Sequence, residues 1–191
     1  MEKENLSPQE SLALIQNMIA KTRSDMGKNS AYFLLWGWVT FVACMGQFLL
    51  YKVFDYPKHY LVWWLIVPAA IISAYMGFKQ DRTRKATSYV GESMKFLWTG
   101  MGISYFVLSM IFAKMGWGNN IFPFFIMLYG LGTFVSGKLL QFMPLVVGAI
   151  VAWVLAVVAA YLPNEYQLLC GAAAIMVSYI IPAHLLRLKN G

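Results

Sequence analysis

Two hydrophobic patterns divide the chain. Up to residue 29 the apolar positions recur at helical spacing. Leu12, Ile15, Ile19 and Met26 form the stripe, Thr22 fills its gap, and Leu14 and Met18 widen it. Gln16, Lys21, Arg23 and Asp25 hold the opposite side. This predicts an amphipathic helix too polar to span a bilayer. Ser7-Pro8-Gln9-Glu10 predicts its start, with Ser7 and Glu10 as a capping box and Pro8 in the first turn. Gly27 and Asn29 read as its stop.

From residue 30 the periodicity gives way to six nearly continuous apolar runs, at about 30–50, 60–78, 96–113, 121–137, 144–162 and 166–186. Each approaches the ~17–25 residues that carry a helix across ~30 Å of hydrocarbon. Lipid offers no partner to bare backbone groups, so the runs must be helical. The connections after the first, third and fifth runs are short, which predicts three consecutive hairpins of antiparallel neighbours. The expected fold is therefore an all-α integral membrane protein. Residues 1–29 are an amphipathic cytoplasmic or interfacial helix, and residues 30–191 are a six-helix transmembrane domain.

Charge orients the spans. The linker Lys79-Gln80-Asp81-Arg82-Thr83-Arg84-Lys85 holds the densest positive charge in the chain. With Lys3, Lys21, Arg23, Lys28, Lys95, Lys138, Arg187 and Lys189 it puts twelve of the 15 Lys and Arg on one side. Only Lys52, Lys58 and Lys114 fall on the other. The positive-inside rule then places both termini in the cytoplasm. The acidic and basic N-terminus lacks the basic start and short apolar core of a cleavable signal, so the first span is expected to act as an uncleaved anchor.

Composition supports the membrane reading: 60% of the residues are hydrophobic and 12% charged, against roughly 25% charged in a soluble domain. The net charge of +7 flanks apolar runs rather than forming one basic patch, which favours lipid head groups over nucleic acid. Cys44 and Cys170 both lie within apolar runs and give neither a metal spacing nor a disulfide framework. Trp63, Trp64, Trp98, Trp117, Tyr56, Tyr60, Tyr161 and Tyr166 fall near the run ends, where an aromatic belt belongs.

Ionisable residues inside spans are the first place to seek function in a membrane protein, and these runs hold almost none away from their ends. His59 and His184 lie on opposite sides, and no motif for a metal, a cofactor or an activated nucleophile is visible. The most polar helical surface joins the third and fourth runs. Tyr105 and Ser109 share a face with Gly102, while Tyr129, Thr133 and Ser136 accompany Gly130 and Gly137. With Gln47 of the first run these form a candidate polar path. The plainer reading is close packing, in which small residues let backbones approach and hydroxyls bond across helices. Gly148, Ala152, Ala156 and Ala160 in the fifth run read as a contact stripe of that kind. Pro68 and Pro182 are expected to bend the second and sixth spans by freeing the carbonyls of Trp64 and Ser178. Leu35-Trp36-Gly37 and Leu97-Trp98-Thr99-Gly100 suggest a weak repeat between the first two hairpins.

The stretches Glu10-Ser11-Leu12-Ala13-Leu14-Ile15-Gln16-Asn17-Met18-Ile19, Tyr32 to Trp38, Tyr56-Pro57-Lys58-His59-Tyr60, Glu165-Tyr166-Gln167-Leu168-Leu169 and Ile181-Pro182-Ala183-His184-Leu185-Leu186-Arg187 carry a resemblance. Together they resemble an uncharacterised family of small integral-membrane proteins from Bacteroidetes-type bacteria. The resemblance implies an inner-membrane location and assigns no activity and no functional residue.

The leading expectation is a non-enzymatic accessory, sensor or scaffold protein. It would act through helix faces and through the Leu12, Ile15, Ile19 and Met26 stripe, laid on lipid, on its own bundle or on a cytoplasmic or membrane protein partner. Self-association is compatible with such faces. The rival is a small-solute transporter or channel with a path between the third and fourth spans.

Overall fold

The computed structural model describes residues 7–17, 31–83, 89–116 and 120–190, and among them every regular element is helical. Ile19, Met26, Gly27, Asn29, Arg84, Lys85 and Trp117 lie outside the described residues. Helix α1 covers residues 8–17. Its capping box is formed: the Ser7 amide donates to Glu10 Oε2 at 2.8 Å, and the Glu10 amide donates to Ser7 Oγ at 3.2 Å.

Helix α2 (Ala31–Lys52) is followed by a 3-10 helix (His59–Leu65) that runs directly into α3 (Ile66–Thr83). Then come α4 (Tyr89–Met115), α5 (Phe122–Leu139), α6 (Met143–Ala160) and α7 (Asn164–Ile175). A π-helical turn (Met176–Ile180) joins α7 to α8 (Ile181–Asn190), making one last span. Among the described residues six helical stretches are long and apolar enough to cross a membrane: Phe33–Lys52, His59–Lys79, Gly91–Met115, Phe122–Leu139, Met143–Ala160 and Asn164–Leu185. The chain is a multi-pass integral membrane protein, with α1 as a short helix ahead of the spans.

Proline punctuates this architecture. Pro123 and Pro144 stand in the first turns of α5 and α6, and Pro163 directly precedes α7. A missing amide hydrogen costs nothing there. Pro68 lies inside the second span, as its sequence position predicts, where the 3-10 helix passes into the first turn of α3. Pro182 also lies inside its span, three residues before the end of Asn164–Leu185. The turn before it widens to π geometry, and Ser178 Oγ donates to the Ala174 carbonyl. The basic linker is helical as far as Thr83, because nothing from Lys79 to Thr83 stops a helix that has left the hydrocarbon.

The hairpins are antiparallel, but the closest pair is α5 with α6, across the turn between the second and third hairpins. That turn is a Schellman motif. The Phe142 amide reaches the Gly137 carbonyl at 2.9 Å, the Gln141 amide reaches Lys138 at 3.2 Å, and Gln141 adopts φ 50°. Helix α6 then packs on the last span, α7 packs on α2, and α4 lies against α5. Helix α3 is peripheral and rests mainly on α2. Only 6% of its span is buried, against 61% of the last one.

Small residues make the central contacts possible. A Cβ on Gly130 would stand 2.7 Å from Trp153 Cδ1 on α6. On Gly148 it would stand 2.6 Å from Ser178 Cα and 2.9 Å from the Val177 carbonyl oxygen. Backbone therefore lies directly on backbone where α6 meets the π turn. The α6 stripe continues through Ala152, Ala156 and Ala159, while Ala160 is exposed. Three steps of four residues overrun a 3.6-residue turn by about 120°, so the stripe corrects itself with a step of three. The suggested repeat does not extend to packing: a Cβ on Gly37 would meet Ile180 Cγ1 at 2.9 Å, whereas one on Gly100 would meet nothing within 4 Å.

Candidate functional site

Helices α4 and α5 meet through a ladder of rings. Phe112 lies 5.0 Å from Phe124, Tyr105 lies 5.4 Å from Phe125, and Trp98 lies 6.1 Å from Tyr129. The π turn adds Tyr179, which is 5.2 Å from Tyr129, 6.0 Å from Trp98 and 5.2 Å from Phe33. The result is an aromatic cluster shared by α2, α4, α5 and the last span. Along this seam the hydroxyls of Tyr105 and Tyr129 and Oγ1 of Thr133 are buried and have no hydrogen-bond partner. A buried, unpaired polar group costs about 1–3 kcal/mol, and the bilayer supplies no water to relieve it.

The six candidate path residues therefore separate. Tyr105 and Tyr129 stay together on the seam, and Thr133 is fully buried one turn beyond Tyr129 on α5. Ser109 and Ser136 each turn back on their own helix, donating to the carbonyls of Tyr105 at 2.8 Å and Gly132 at 2.7 Å. Gly102 faces outward. Gln47 belongs to a separate cluster, between α2, the 3-10 helix and the start of α5.

There Gln47 is buried, with 6% of its surface exposed. Its Oε1 accepts from Trp63 Nε1, and its Nε2 lies 3.1 Å from His59 Nδ1. This ties α2 to the 3-10 helix. Phe122 carries the contact to α5, with its ring 5.9 Å from that of Trp63. At the end of α2 Lys52 Nζ pairs with Glu165 Oε1 at 3.1 Å and sits 5.7 Å from the Tyr166 ring centroid, joining α2 to α7. The pair is solvent-screened and adds little to stability.

Tyr56, Tyr60, Trp64, Tyr161 and Tyr166 are exposed, as a belt requires. Trp63 and Trp98 instead turn inward to the two clusters just described. The stripe of α1 is open: Leu12, Leu14 and Ile15 are 60%, 51% and 55% exposed.

Sequence reasoning passed over Gln167 and Tyr179. Gln167 is 2% exposed; its Nε2 donates to the Leu162 carbonyl at 3.0 Å and its Oε1 is unpartnered. A Gln this close to the start of an apolar run is a visible signal. Tyr179 carried no such signal, because the π turn shifts every later residue around the helix.

Among the described residues no group of three His, Cys, Asp or Glu is placed to hold a metal ion. The seam offers hydroxyls, each able to donate and accept, on aromatic walls. Compared with known families, curated proteins and solved structures, the chain matches nothing.

Proposed function

We propose that this chain is a non-enzymatic accessory or scaffold protein of a bacterial inner membrane, working through its amphipathic arm and its helix faces. The observation that carries this reading is the exposed apolar stripe of α1 beside a bundle whose centre is closed by backbone-level contacts. A helix that leaves Leu12, Leu14 and Ile15 uncovered gains by placing them on lipid or on another protein. The inner-membrane location and the cytoplasmic termini rest on the twelve-to-three charge split and on the resemblance to the Bacteroidetes-type family. The test compares the full-length protein with a form lacking residues 2–28, both purified from native membranes in mild detergent, by mass spectrometry of co-purifying proteins. A partner lost with the arm, and rebinding the purified full-length chain, supports the reading. No arm-dependent partner removes its protein-scaffold form.

The unpartnered hydroxyls of Tyr105, Tyr129 and Thr133 favour a second reading, a path or pocket for a small uncharged solute along α4 and α5. Solute flux into liposomes, compared between the native chain and a Tyr129→Phe, Thr133→Val variant, decides it.

A further inference from the structure

The amide of Gln47 fixes the protonation state of its neighbour. An indole nitrogen only donates, so the Gln47 atom facing Trp63 Nε1 is the carbonyl Oε1. The NH2 end then faces His59 Nδ1 at 3.1 Å, and an NH2 group also only donates. Nδ1 must therefore be bare, with the single ring proton on Nε2. A second proton on the ring would set N–H against N–H. Turning the amide over only moves the conflict, because the NH2 group would then face the indole N–H. No orientation of Gln47 satisfies donors on both sides.

We infer that protonation of His59 unlatches the start of the second span from the first, making this end of the bundle a sensor of acidity on its side of the membrane. This goes beyond the interaction role and does not depend on it. His59 is half-buried, so a protonated ring can swing to water rather than remain against Gln47. Tyr51 of α2 faces the ring at 4.6 Å and Tyr60 of its own turn at 6.1 Å. The charged groups at this end are Lys52, paired with Glu165 of α7, Asp55 and Lys58 in the turn, and Lys114 at the end of α4. Of these, Asp55 and Glu165 carry the negative charge that would compete for an imidazolium. What is released matters, because the 3-10 helix is held mainly by α2 and continues into α3, the least buried span.

The test follows the Trp63 indole ¹⁵N–H resonance of the full-length chain in micelles from pH 8 to pH 5, assigned with Trp63→Phe. The expected result is movement through one protonation step. In His59→Asn, where the side-chain carbonyl still accepts from Gln47 without titrating, the movement should vanish. In Gln47→Glu, a carboxylate accepts from indole and imidazolium alike, so the resonance should hold its bonded position as His59 protonates. A Trp63 resonance indifferent to pH in the native chain, or one that titrates unchanged in His59→Asn, overturns the inference.

Discussion

Gly148 is where packing theory meets its sharpest number in this bundle. An alanine there would place its Cβ 2.6 Å from Ser178 Cα and 2.9 Å from the Val177 carbonyl oxygen. Carbon atoms rest at about 3.5–4.0 Å, so α6 and the π turn must separate by roughly 1 Å. Both obstacles are backbone, and no rotamer change relieves them. A gap of that size forfeits a quarter to a half of each dispersion contact along the seam, and overpacking of this kind costs about 1–3 kcal/mol. The better helix propensity of alanine returns at most ~1 kcal/mol. Gly148→Ala should therefore destabilise by about 1–2 kcal/mol net. Gly100→Ala is the matched control: nothing lies within 4 Å of its new Cβ, so it should gain about 0.5–1 kcal/mol. Thermal unfolding of both variants in one detergent, followed by tryptophan fluorescence, reads the difference. Equal shifts for the two, or a Gly148→Ala protein at native stability, would refute the claim that backbone contact closes this interface.

The other predictions are smaller. Gln141 holds φ 50°, a conformation that costs a side-chain-bearing residue roughly 1–2 kcal/mol, so Gln141→Gly should raise the unfolding midpoint. If the seam hydroxyls are truly unpaired, Tyr129→Phe and Thr133→Val should be neutral or stabilising by up to ~1–3 kcal/mol each; a loss of stability in both would mean that something hydrogen-bonds them. The Ser7 backbone amide, and then its hydroxyl, hold the Glu10 carboxyl below the usual glutamate value. Stability from this cap is therefore present above that value and is lost as pH falls through the lower, folded one. The protection of the Ser7 amide, its exchange rate relative to the intrinsic rate at each pH, should fall on acidification, and in Glu10→Gln that fall should disappear.

The spans were legible because twenty apolar residues in a row leave physics little choice. Their ends agree to within a few residues, except where helices outlast the hydrocarbon, as α4 does by beginning at Tyr89. The α1 start was equally readable, since a capping box is a local event between Ser7 and Glu10. The partners of polar groups were not. Ser136 and Thr133 look alike in sequence, yet Ser136 bonds its own helix and Thr133 is left unpaired; rotamer and neighbour decide, and neither has a sequence signature. Gln47 looked like a lone polar residue because its partners, His59 and Trp63, meet it only once the short turn has folded the chain back.

The pairing of Lys52 with Glu165 joins residues 113 positions apart, and the seam between α2 and α7 inherits that delay during synthesis. At ~5–20 residues per second, the ribosome needs roughly 6–23 s after finishing α2 to deliver the helix that covers it. For that interval the first span has only the 3-10 helix and α3 beside it, and its face toward α7 stays on lipid or on the machinery that admits it. Helices α5 and α6, only a few residues apart, join almost as soon as they emerge. Assembly in the cell is thus expected to begin as local pairs and to close α7 onto α2 last.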